Sequence, residues 1–340
     1  MNITFLIGNG FDINLGLHTQ YSSFLREYLK ENPEDTDEIK KFKEDILGGK
    51  HYESKGSMNL WSNAEIALGR YTDEVVKQGK TAEVFFERYE DFCSKLAVYL
   101  EAQEARICIE GKEQSFIDAI QNFHTGLTEN QEIDIKDIEA NVGGAYVFNF
   151  IVFNYTTIID KLVELIKKNK PNFGVRNNSR NSIGQVIHVH GTTKKDMILG
   201  VNDESQIANL DLFKDVSPIY ISSFIKRETN QAIGSFVDEK TLDIINKSSC
   251  IYIYGMSLGK TDAIWWQRII KRMKAQPNVR IIVYGFDAPK DDRLHRKQWI
   301  YNENKRRELL SFGGGDTAGL DSRIHVVSGN IFESFKDIAN

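Results

Sequence analysis

The chain has 340 residues, 41% of them hydrophobic and 27% charged, which excludes a collagen-like or disordered protein; its longest apolar run, residues 146–155, is far short of the ~18 residues of a membrane span. A formal net charge of −5 is the wrong sign for a dedicated nucleic-acid coat, so the basic stretches 260–274 and 293–307 read as solvated helix faces, with a local nucleic-acid patch as the lesser alternative. Three cysteines (Cys93, Cys108 and Cys250) without a CxxC pair fit a reducing cytoplasm and exclude a four-cysteine zinc ribbon.

The opening Met-Asn-Ile-Thr-Phe has no basic region and no small-residue cleavage site, so no signal peptide is expected. Residues 2–7 read as a short apolar strand of the kind buried on both faces of a parallel sheet. Residues 19–141 are mainly helical in character. Val84, Phe85, Tyr89, Phe92, Leu96, Tyr99 and Leu100 recur at three- and four-residue spacing, and 116–123 repeats the pattern. Within this region 31–44 reads as an exposed helix pair and 50–59 as a loop. Strands are then predicted within 145–154 and 184–190, with a short one at 197–201. Helices follow at 158–168, 224–236 and 240–245. Further strands at 250–254, 279–284 and 323–327 enclose helices at 261–274 and 299–310. The order of strand, helix and strand predicts a doubly wound, mainly parallel α/β sheet with right-handed crossovers; no repeat of fixed period is visible.

Ligands of such sheets bind outside the carboxyl ends of the strands, and four strands end in informative turns. The first runs into Gly8-Asn9-Gly10-Phe11-Asp12. Its glycines would let the backbone approach a phosphate facing helix amides. A tight turn explains them equally well, because Ile13 replaces the third glycine of the dinucleotide fingerprint and no P-loop lysine follows. Asp12 suits a ribose hydroxyl or a base, with helix capping as the alternative. The second strand ends at Asn154, placed either to fix a polar ligand or to begin an Asx turn. The third ends His188-Val189-His190-Gly191. Alternation would put both rings on one face, and a metal pair closed by Asp12 or Asp262 is conceivable. The stronger reading makes His190 a general base and His188 a core histidine. The fourth ends in Gly255-Met256-Ser257-Leu258-Gly259, with Ser257 able to bond a ribose or phosphate and Asp262 in the first turn of the next helix. A glycine turn capped by Thr261 or Asp262 is its structural alternative.

Taken in order, Ile7-Gly-Asn-Gly-Phe-Asp12, Gly16-Leu-His-Thr-Gln-Tyr21, Trp61-Ser-Asn-Ala-Glu65, Phe153-Asn-Tyr-Thr156, His188-Val-His-Gly191, Leu199-Gly-Val-Asn-Asp203 and Tyr254-Gly-Met-Ser-Leu-Gly-Lys-Thr-Asp262 resemble AbiH-type bacteriophage abortive-infection proteins from about residue 3 to 285. Met256 departs from that pattern, where histidine is expected, and is given no catalytic role. The order of turns is more distantly similar to sirtuin-like NAD-consuming folds, without their zinc ribbon. The element order predicts a Rossmann-like domain over 1–21 and 141–340, with a helical insertion over 22–140 packed against the cleft as a lid. Trp61 and Glu65, four residues apart on one helical face, are the pair of the insertion expected to face the site, with a core position for Trp61 as the equal alternative. By the sirtuin-like resemblance, NAD is implied as substrate or ligand. Gly8, Asn9, Gly10, Phe11, Gly255, Ser257 and Asp262 would bind it, and His190, Asn154 and Asp12 would act on it, with no metal. The expected function is an antiphage effector that hydrolyses the nicotinamide glycosidic bond. A non-catalytic nucleotide sensor or scaffold, and a metal-dependent nuclease using His188 and His190, are the alternatives. Expected partners are a nucleotide and a phage-derived trigger or second copy of the chain, with no membrane.

Overall fold

The computed structural model describes residues 1–48, 61–259, 262–289 and 295–339, and for 61–63 the backbone alone. The apolar runs form six strands: β1 (Asn2–Ile7), β2 (Val147–Val152), β3 (Ser182–His188), β4 (Cys250–Tyr254), β5 (Arg280–Tyr284) and β6 (Ile324–Val327). Every pairing between them is parallel, in the order 3-2-1-4-5-6. This is the Rossmann-like, doubly wound arrangement, with its switch point between β1 and β4, where successive crossovers leave in opposite directions.

Alternation along the strands divides the core. Ile3, Phe5 and Ile7 of β1, with Tyr252 and Tyr254 of β4, pack on one face against α6 (Glu113–Gln121), α7 (Glu129–Val142) and α8 (Ile158–Asn169). Leu6, Ile251 and Ile253 pack on the other against α11 (Val237–Lys247) and α12 (Ala263–Ala275). A third cluster lies off the sheet. It joins α2 (Tyr21–Tyr28), α3 (Asp37–Leu47), α4 (Trp61–Lys77) and α5 (Ala82–Glu104) to Leu199, Val201, Phe213, Ile225 and Phe224 of α9 (Pro218–Phe224). The apolar contacts therefore cut across residue 140. Phe116, Ile120, Ile135 and Ile138 belong to the sheet's core, and part of 199–225 belongs to the helical bundle.

Three local expectations are corrected. Residues 31–44 hold one helix start, not an exposed pair: Thr36 caps α3, and Ile39, Phe42, Lys43 and Asp45 are buried on its inner face. Residues 197–201 form no strand, because only Val201 bridges, to Ile225. The third strand stops at His188, so His190 lies beyond it in a turn and strand alternation no longer sets its direction. The expected loop at 50–59 lies outside the described residues.

Register sets the site. His188 pairs with Val152, Val152 with Ile7, and Ile7 with Tyr254, so four strands end in one row. The residues that follow each strand emerge at a common edge.

Candidate functional site

A cavity of about 430 Å³ opens along that edge, a size ordinary for a small-molecule site. Gly8, Asn9, Gly10, Asp12, Asn154, His190, Gly255, Ser257 and Asp262 all line it. Phe11 does not: it is buried edge-on to Tyr254 and Phe332 in the sheet's core, because α1 (Gly10–Asn14) turns its ring inward. Glu65 reaches the cavity from the helical bundle, whereas the side chain of Trp61, like Lys260 and Thr261, lies outside the described residues.

The glycine turns serve each other. The Gly10 amide donates to the Gly255 carbonyl at 2.8 Å, and the Gly8 amide to Tyr254 O at 2.9 Å. A Cβ on Gly10 would sit 2.4 Å from Gly255 Cα, and Gly255 itself has φ +67° with Phe11 N in the way of any side chain. Two loops at the switch point thus interlock backbone to backbone, which only glycine allows. Asn9 completes the joint by donating its side-chain amide to Thr19 O at 2.9 Å.

The side chains of α1 and of the turns after β2 and β3 behave differently. Asp12 is fully buried. Asn154 Nδ2 donates to its Oδ1 and Thr156 Oγ1 to its Oδ2, both at 2.9 Å. Burial nevertheless pushes its carboxyl up to about 7, against the pull of those two bonds. Asn154 is 5% exposed, and its Oδ1 has no hydrogen-bond partner.

His190 is 7% exposed and packs edge-on to Phe153. Its Nε2 lies 3.4 Å from Asp262 Oδ1, while its Nδ1 is buried without a partner. Burial, with the Lys226 cation nearby, holds the imidazole below its usual range. Burial pushes Asp262 upward, but the bond to His190 and the charge of Lys226 more than offset it, and the carboxyl lies low. An ionised Asp262 therefore accepts from His190 Nε2–H, leaving the Nδ1 lone pair free.

The two histidines do not form a metal pair. His188 Nε2 lies 2.6 Å from Asp160 on α8 and its Nδ1 3.1 Å from Asn154 O, whereas His190 turns to the start of α12 on the other face of the sheet. Among the described residues no group of three or more His, Cys, Asp and Glu could hold a metal ion.

The sequence missed three contributions. Lys226, at the start of α10 (Lys226–Ala232), pairs with Glu65 at 2.6 Å, both buried. Burial raises Glu65 to about 7 despite that cation. A lone lysine at a helix start carries no spacing signal. Thr156 has a signal only in hindsight, as the hydroxyl two residues past Asn154. Phe286, Asp287 and Tyr301 line the far end. The rule applied to four strand ends would have found the first two had it been carried to the fifth, which ends Tyr284-Gly285-Phe286.

The family model described as "Bacteriophage abortive infection AbiH" matches residues 4–284 of the chain. No curated protein matches it, and no solved structure does.

Proposed function

The chain belongs to the AbiH family of bacteriophage abortive-infection proteins, and from that premise we propose that it acts by binding an NAD-like nucleotide at the switch point and hydrolysing its nicotinamide–ribose bond. One observation carries this reading: Asn154 Oδ1 and His190 Nδ1, at the ends of neighbouring strands, are buried acceptors with no partner. Buried polar atoms are rarely left so, and the group that satisfies two acceptors is a donor of two hydrogens, such as a ribose diol or a water.

The residues then have distinct tasks. Asn154 orients the ribose. In the reaction the C1′–N bond breaks and its electron pair leaves with nicotinamide, which becomes neutral. Positive charge develops on the ribosyl ring, and the Asp12 carboxylate stabilises it, as carboxylates do in glycosidic transition states. Water adds to C1′, and His190 Nδ1 takes its proton. Asp262 then faces an imidazolium in place of a neutral ring. NAD and water give nicotinamide, ADP-ribose and a proton.

The test is to incubate purified protein with NAD and follow nicotinamide by chromatography. Release that is lost in His190→Ala supports hydrolysis. NAD bound but returned intact moves the reading to a nucleotide sensor, and no binding at all ends it.

A further inference from the structure

The cavity is longer than the chemistry at Asn154 and His190 requires. Its walls come from the ends of five adjacent strands, from His190 after β3 to Phe286 after β5. Four strand spacings of 4.7–4.9 Å make about 19 Å. One nucleotide seated at His190 leaves the far end unfilled; two nucleotides joined through their phosphates reach it.

The far end has a different composition. Phe286 is 51% exposed, although it lines the cavity, and it meets Tyr284 edge-on. Across from it on α13 (His295–Leu310), Tyr301 donates its hydroxyl to Asp287 at 2.6 Å. Lys305 lies over the Tyr301 ring and bonds Glu308 at 3.1 Å. The ring is left half in water on the cavity's wall, and a carboxylate fixed by Tyr301 and the Lys305 cation belong to the same lining. The same arrangement is what a flat, polar-edged base needs.

We propose that this end is a nucleobase platform, on which Phe286 stacks the purine of the substrate's adenylate half, so that the protein selects a dinucleotide over a mononucleotide. The proposal rests on the nicotinamide-nucleotide reading for the other end of the cavity only, and the two can be separated. Lys305 lines this end of the cavity and would meet the linking phosphates; Asp287 would accept from the adenosine ribose or the exocyclic amine.

The experiment measures binding of NAD, nicotinamide mononucleotide and ADP by calorimetry to the His190→Ala protein, which should bind without turnover, and to the same protein with Phe286→Ala or Phe286→Trp added; nicotinamide release is followed with His190 intact. Phe286 is exposed, so neither substitution removes core packing. Phe286→Ala should weaken NAD and ADP about 5- to 150-fold, the loss that a missing base–aromatic stack produces, and leave the mononucleotide unchanged. Phe286→Trp, which keeps a ring, should restore both. NAD and ADP affinities unmoved by Phe286→Ala, or a His190→Ala protein that binds the mononucleotide as tightly as NAD, would overturn the platform while leaving the hydrolytic reading in place. ADP binding that depends on Phe286, in a protein that binds no mononucleotide and releases no nicotinamide, would keep the platform and remove the nicotinamide reading.

Discussion

The two halves of the strand-end edge are built on opposite terms. On the β1–β4 side the turns are glycine, and their backbone groups bond to each other: Gly10 to Gly255, Gly8 to Tyr254. On the β2–β3 side the turns carry polar side chains, and two of these, Asn154 and His190, have unmet bonding capacity. From sequence alone the glycine side looks like the ligand site, because glycine-rich turns are associated with phosphates. The comparison teaches that closeness of two backbones explains glycines as well as closeness to a ligand does, and that the unmet hydrogen-bonding capacity lies with the side chains after β2 and β3.

The largest effect should come from the incomplete side. His190→Ala is expected to lower nicotinamide release about 10²–10⁴-fold, the usual worth of a general base. Its thermal melt should fall modestly, because a buried ring leaves Phe153 and Asp262 loses its partner, but the protein should remain folded. Asn154→Ala should lose activity comparably, yet melt earlier, since Asp12 loses a donor. A folded His190→Ala protein with unchanged release would erase the contrast between the two sides.

The interlocked side should respond in stability. Gly10→Ala forces a methyl group to within 2.4 Å of Gly255 Cα and should cost about 1–3 kcal/mol, read from denaturant unfolding. A Gly10→Ala protein of normal stability would show that the turns are looser than their hydrogen bonds imply.

His188→Ala sharpens the comparison within one turn. It removes bonds to Asp160 and to Asn154 O, so about 1–3 kcal/mol of stability should go while activity falls far less than in His190→Ala. Parallel melts and rate measurements on the two variants check this; a His188→Ala protein less active but as stable as the wild type would reverse the two roles.

The smallest effect is a pH slope. Asp12 and Glu65, ordinarily near 3.8 and 4.5, are both raised to about 7 in the folded chain. Between about pH 4 and 7 the native state therefore holds protons that the unfolded chain has released, and stability falls as pH rises through that window, by up to about 1.4 kcal/mol per pH unit for each group. Asp12→Asn should remove its share of the slope. Denaturant midpoints taken from pH 5 to 8 for both proteins measure it; identical slopes would mean that Asp12 is ionised throughout.

Much of this architecture was legible beforehand. Apolar runs such as Cys-Ile-Tyr-Ile-Tyr at 250–254 mark buried strands, and once they are ordered as a doubly wound sheet, their ends must meet. That is why Gly10, Asn154, His190 and Ser257 could be placed together from four separate turns. The side-chain directions were not legible. His190 leaves its strand before the last alternation and so swings toward α12, and Phe11 looks like a loop residue until α1 turns it into the core. Lys226 and Glu65, more than 150 residues apart, meet only because α4 and the Phe224-Ile225 pair just before α10 share the bundle's core. Such a contact has no local period for a sequence to display. The helical bundle was recognised by its spacing, but not that its core draws in Phe213, Phe224 and Ile225 from beyond β3, since their pattern alone does not say which hydrophobic surface they join.

The most direct test of the central claim is a crystal structure of the His190→Ala protein with NAD. The account predicts the nicotinamide ribose hydrogen-bonded to Asn154 Oδ1, the phosphates crossing the β1–β4 switch point, and the adenine on Phe286. Nucleotide bound in the reverse sense, bound elsewhere on the molecule, or absent from a crystal grown in saturating NAD would contradict it.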